Sequence, residues 1–133
     1  MTKYIVLYLA CAAVFFPLDF IWLSTMGRTF YQRELAGLLL DSPNFVIAGM
    51  FYLAYVLGLV ILVAGPAEGD VVKALLMGAV LGFVAYGTYD LTNLSTVRGF
   101  TVSVAVVDIA WGTVLTAVSA AGGVYIARFF SAV

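Results

Sequence analysis

The sequence predicts an all-α integral membrane protein, one domain built as a four-helix bundle, and three observations carry that reading. Of the 133 residues, 65% are hydrophobic and only 10% are charged. The mean hydropathy is +1.14. Four apolar stretches each reach the ~20 residues needed to cross a hydrocarbon core of ~30 Å. Too few polar side chains remain to cover a soluble globule, so the lipid bilayer has to supply the outer surroundings.

The spans fall near residues 4–26, 43–65, 71–94 and 100–129 of a single transmembrane domain, 1–133. Helix one begins after Lys3. Its apolar run continues past Met26 with Asp19 and Trp22 inside it and no small-residue cleavage site, the pattern of a retained helix rather than a signal peptide. The first connection sets Phe30, Tyr31, Leu35, Leu38 and Leu39 against Arg28, Gln32, Arg33, Glu34 and Asp41 at helical spacing, which predicts a short interfacial helix between helices one and two. Asp41 and Ser42 can cap helix two, with Pro43 suited to its first turn. The second connection, Gly65 to Asp70, is a chain breaker with Asp70 as the expected N-cap of helix three. Leu94 to Gly99 is short enough to make helices three and four a tight antiparallel hairpin.

Four spans put both termini on one side. Lys3, Lys73 and Arg128 then share that side while Arg28, Arg33 and Arg98 share the other, so the positive-inside rule assigns no orientation. A faint internal repeat aligns Asp19-Phe-Ile-Trp-Leu-Ser-Thr25 with Asp90-Leu-Thr-Asn-Leu-Ser-Thr96 and suggests two repeated helical hairpins, the interfacial segment being inserted in the first.

Composition narrows the chemistry. There is no histidine and one cysteine, Cys11, so an intrachain disulfide is excluded and histidine-based zinc, haem and serine-nucleophile sites lack their main ligand or base. A formal net charge of −1 argues against a nucleic-acid partner. No metal site, cofactor-binding motif, nucleotide loop or activated nucleophile is spelled out, which leans away from an enzyme.

What remains is a set of acids where acids are expensive. Asp19, Asp90 and Asp108 lie inside predicted spans, and an acidic residue at a helix centre costs ~2.5–3.5 kcal/mol on insertion scales. Asp19 is in the last third of helix one, Asp90 near the end of helix three and Asp108 in the first third of helix four. Alternating helix directions bring all three towards the side of Arg28 and Arg98. Aromatic and polar residues accompany them at helical spacing: Trp22 after Asp19, Tyr86, Tyr89 and Asn93 around Asp90, Trp111 and Gly112 after Asp108, and Tyr52 and Tyr55 from helix two. Asn93 can serve Asp90 or the turn after helix three, and Asn44 is a further polar side chain on helix two. By itself Trp22 reads more readily as an interface anchor, and Gly78-x-x-x-Gly82 as ordinary helix packing. The same acids and phenols could also simply join helices.

Leu18-Asp19-Phe-Ile-Trp22-Leu23, Phe51-Tyr52, Tyr86-Gly-Thr-Tyr-Asp-Leu-Thr-Asn93 and Asp108-Ile-Ala-Trp-Gly112 resemble the signature of a family of small four-helix bacterial inner-membrane proteins of unknown function. The resemblance covers nearly the whole chain and implies the fold and a multi-pass location in the bacterial inner, or cytoplasmic, membrane. It departs at Ser95, where the family tends to have Ala, and at Phe100, where it tends to have Trp; neither change removes a charge.

The leading functional expectation is a membrane-embedded binder or carrier of a small lipid-like or cationic molecule. Asp19, Asp90 and Asp108 would supply charge, and Trp22, Tyr52, Tyr86, Tyr89, Asn93 and Trp111 faces and hydrogen bonds. In length, helix count and tied topology this resembles the small multidrug-resistance class, without its motifs. The alternatives are a membrane enzyme on lipid or isoprenoid substrates, with a buried Asp as general acid or base, and a homodimer or subunit of a larger membrane complex, with the glycine stripes as partner faces.

Overall fold

The computed structural model describes residues 1–130, so the last three residues of the expected domain lie outside it. Four helices are long and apolar enough to cross a membrane. They run Thr2–Glu34, Phe45–Ala64, Val71–Thr96 and Val102–Phe129. The α-helical stretches are α1 (Thr2–Met26) and α2 (Phe45–Leu59), each continued by a π turn, α3 (Val71–Thr96) and α4 (Val102–Phe129), and no strand occurs among the described residues. This is the expected all-helical bundle.

The helical part of the first connection runs on from α1 rather than standing as a separate helix. Gly27 keeps right-handed helical dihedrals, and a π-helical turn, Gly27–Tyr31, leads into a last helical turn, Gln32–Glu34. The chain loosens here for a local reason. The hydroxyls of Ser24, Thr25 and Thr29 donate to the carbonyls of Phe20, Ile21 and Thr25 at 2.7, 3.0 and 2.7 Å, a back-bonding that competes with the helical ladder, beside a glycine that packs against nothing. A second π turn, Val60–Ala64, ends α2.

The caps follow side-chain chemistry. Asp70 accepts from the Lys73 N–H at 3.0 Å, as expected, and Thr101 accepts from the Val104 N–H at 3.2 Å to start α4. Helix two begins later than expected. Asn44, not Asp41 or Ser42, accepts from the Ile47 N–H at 3.1 Å, which leaves Pro43 ahead of the helix and Asn44 an exposed cap rather than a site residue. Between α3 and α4 the chain turns through Gly99 at a φ of +88°, a conformation that favours glycine.

Helix α4 is the centre of the bundle: half of its most apolar window is buried within the protein, against 28% or less for the other three. Small residues let it serve two neighbours at once. Towards α3, a Cβ on Gly78 would lie 2.9 Å from Ala117 Cα, and one on Gly82 would strike the Gly112 carbonyl and Thr116. Towards α1, Gly123 receives Cys11. The glycine stripes thus face the chain's own helices. Leu7, Phe15, Val56, Leu59, Leu115 and Val124 fill the core between them, and Tyr55 and Thr116 join α2 to α4 through their hydroxyls at 2.9 Å. The outside is apolar, with Phe20, Phe45, Met50, Phe83 and Phe129 among the exposed side chains, as contact with lipid requires.

Candidate functional site

The three intramembrane acids come together where α1, α3 and α4 meet. Asp19 on α1 is 5% exposed and accepts a hydrogen bond from the Trp111 Nε1–H of α4 at 3.2 Å. Asp108, half-buried one turn before Trp111, accepts from the Tyr31 hydroxyl at 2.7 Å. Asp90 on α3 has no exposed surface, and neither of its carboxyl oxygens meets a donor among the described residues. The Asp108 carboxyl lies beside it, within hydrogen-bonding reach.

Two Asp-x-x-Trp segments on antiparallel helices build the frame. Residues three apart share a helix face, so Trp22 projects with Asp19 and Trp111 with Asp108. The two indoles stack with centroids 4.3 Å apart and planes 3° from parallel. Trp22 therefore turns inward and is not an outward-facing interface anchor. Its Nε1–H donates to the Tyr31 hydroxyl at 3.3 Å, and that hydroxyl in turn donates to Asp108.

Tyr31 was missed by sequence reading, which set it on the apolar side of an interfacial helix. The reason is the π turn. At ~100° per residue, a residue twelve positions beyond Asp19 stands ~120° away around an unbroken α-helix, and absorbing one extra residue brings it back to within ~20°. No local pattern marks that shift; the cluster of Ser24, Thr25, Gly27 and Thr29 is the only available signal.

The other expected residues divide. Tyr52 is half-buried on α2, packed edge-on to Phe15 and Phe16 with centroids 5.8 and 6.4 Å away, and its hydroxyl lies by Asp19. Tyr86 lies flat on Gly112, where a Cβ would collide with its ring, and meets Tyr55 edge-on at 6.2 Å. Tyr89 is 58% exposed and packs on Phe100 at 6.1 Å, so it stands at the rim instead of inside. Asn93 does not bond to Asp90; its backbone carbonyl accepts from the Val97 N–H at 2.7 Å, which ends α3. Asp90 and Asn93 are three apart, but Asp90 is turned towards α4 while Asn93 lies half-buried past the last packed turn.

Charge is unbalanced at the site. The ion pairs among the described residues are Lys3–Glu68 at 3.4 Å and Arg33–Glu34 at 3.5 Å, and neither Arg28 nor Arg98 reaches an intramembrane acid. Among the described residues no group of three His, Cys, Asp or Glu side chains is placed to hold a metal ion. Among the described residues, a hollow along Gln32–Asp41 and an apolar groove between α2 and α3 at Phe51, Tyr55, Gly58 and Leu81 border the bundle, and neither is lined by Asp19, Asp90 or Asp108.

No curated protein and no solved structure matches the chain. Residues 4–125 match the family described as Predicted membrane protein (DUF2177), so nearly the whole chain is covered and the protein belongs to this family of membrane proteins, a domain of unknown function.

Proposed function

We propose that the protein is a binder or carrier of a small cation in the bacterial inner membrane, with Asp90 and Asp108 as the charge-bearing pair. Asp90 carries the reading: a fully buried carboxyl whose two oxygens have no donor among the described residues, next to a second acid and with no basic side chain among them in reach. An ion taken out of water loses several kcal/mol of solvation unless a partner replaces it. A proton or small cation supplies that partner, and its exchange is what a cation-coupled carrier does. The closed packing around Asp90 favours a cation over a bulky lipid-like molecule. Trp111 and Tyr31, each donating to one of the other two acids, hold the surroundings in place while Asp90 changes partner.

The test uses proteoliposomes loaded with a pH-sensitive dye. Imposed gradients of potassium, sodium or lithium should move protons through the parent protein for at least one of the three. Asp90→Asn and Asp108→Asn, still inserted and folded, should reduce the response to that of empty liposomes. If the parent itself behaves like empty liposomes with all three cations, and none alters its tryptophan fluorescence, the cation reading is wrong.

A further inference from the structure

Tyr31 holds a place in the site that its position in the chain does not explain. Among the described residues it is the only side chain that donates a hydrogen bond to Asp108, and it comes from the end of α1 through a π turn in which no residue is buried. Resting on the cation-site reading above, we propose that Tyr31 is a positioning residue that gates Asp108, swung on and off the carboxylate by a change of helical register in Gly27–Tyr31.

The geometry supplies both positions. In the π register, the extra residue sets Tyr31 over the Asp19 face, where its hydroxyl accepts from Trp22 at 3.3 Å and donates to Asp108 at 2.7 Å. Returning the turn to α register moves the extra residue downstream and rotates Tyr31 by ~100°, off both partners. What resists that rotation is the pair of hydrogen bonds at the Tyr31 hydroxyl, while the turn itself leaves room for it. Gly27 has nothing within 4 Å of a would-be Cβ, and Arg28 and Thr29 are exposed. The carbonyl of Thr25 is already served by the Thr29 hydroxyl. Beyond the turn, the segment is anchored by the buried Leu35, by Leu38 against the Gly99 turn and by a long hydrogen bond from the Thr101 hydroxyl to Glu34 at 3.4 Å, so the register change is confined to the turn itself. Single π turns inside α-helices are frequent at functional sites.

The consequence is specific. With Tyr31 engaged, one oxygen of Asp108 is committed to the phenol, and the Asp90–Asp108 pair is closed on that side. With Tyr31 withdrawn, that oxygen is free to take a cation or proton. The gate and the cation site therefore share one atom, Asp108 Oδ1.

Two variants move the gate in opposite directions. Tyr31→Phe keeps the ring and loses the donor, so Asp108 is permanently uncovered. Deleting Thr29 removes the extra residue while leaving Tyr31 in its engaged phase, so the gate is held shut in a plain α-helix. The readout is labelling of Asp108 by dicyclohexylcarbodiimide in nanodiscs, measured by peptide mass spectrometry. The stacked-indole circular-dichroism signal of Trp22 and Trp111 confirms the fold. Labelling should rise about tenfold in Tyr31→Phe, the change that ~1.4 kcal/mol of lost hydrogen bonding produces, and should fall below the parent in the deletion. Equal labelling in all three proteins, or a shift in the same direction in both variants, overturns the gate. Protection of Asp108 by potassium, sodium or lithium reports separately on the cation site. The expected variant pattern without protection leaves the gate standing and removes the cation reading; equal labelling of parent and variants with protection by a cation does the reverse.

Discussion

Trp22 and Trp111 stack almost parallel, 4.3 Å apart, yet their N–H groups serve opposite acids: Trp111 donates directly to Asp19, and Trp22 reaches Asp108 through the Tyr31 hydroxyl. Each indole belongs to one Asp-x-x-Trp segment and supports the acid of the other. Antiparallel packing of α1 and α4 makes this crossing natural, because the same three-residue step points opposite ways along the two helices. It ties the two helices together by polar contacts at the depth where both carry a charge.

Losing one indole N–H should therefore cost more than losing the other. Trp111→Phe keeps an aromatic ring but removes the donor to Asp19, a nearly buried acid, and should lower stability by ~1–3 kcal/mol. Trp22→Phe removes a long bond to a hydroxyl and should cost under ~1 kcal/mol. Thermal midpoints in detergent give the comparison; equal losses would mean that stacking, not hydrogen bonding, holds the pair.

Asp90→Asn should raise the thermal midpoint while abolishing cation response. The amide keeps nearly the same shape, offers a donor to Asp108 and takes away a carboxyl whose oxygens have no donor among the described residues. A gain of ~1–3 kcal/mol matches the penalty of an unsatisfied buried group, and stability gained with function lost is the usual mark of a functional site. A lower midpoint would show that Asp90 acts as glue between helices.

The α3–α4 hairpin gives a sharper packing test. A methyl group on Gly82 would meet the Gly112 carbonyl, which cannot move without shifting α4, so Gly82→Ala should cost ~1–3 kcal/mol. Gly87, on the same helix, has nothing within 4 Å of a would-be Cβ. Gly87→Ala should be neutral or stabilise by up to ~1 kcal/mol through helix propensity. Chemical unfolding of the two variants side by side separates close approach from a general demand for glycine.

Tyr55 and Thr116 offer a double-mutant cycle, since their hydroxyls meet at 2.9 Å across α2 and α4. Tyr55→Phe and Thr116→Val should each lose ~0.5–1.5 kcal/mol, and the double variant should lose little more than one of them alone. Full additivity of the two losses would show that the bond contributes nothing.

Sequence by itself determined the four spans, the Asp70 cap, the tight turn before α4 and the matched depth of Asp19, Asp90 and Asp108. These follow from hydropathy, capping chemistry and rise per residue, all of which are local. Only the tertiary structure decided which faces meet. Tyr89 and Asp90 are adjacent in the chain, yet one stands at the rim and the other is sealed; the rotation of α3 against α4, set where Gly82 meets Gly112, makes that choice. Trp22 reads as an interface anchor until α4 brings Trp111 against it. Asn93 has the right spacing to serve Asp90 but lies past the last packed turn. Tyr31 enters the site because one π turn resets the phase of α1 by a residue, and a periodic reading assumes that the phase never slips.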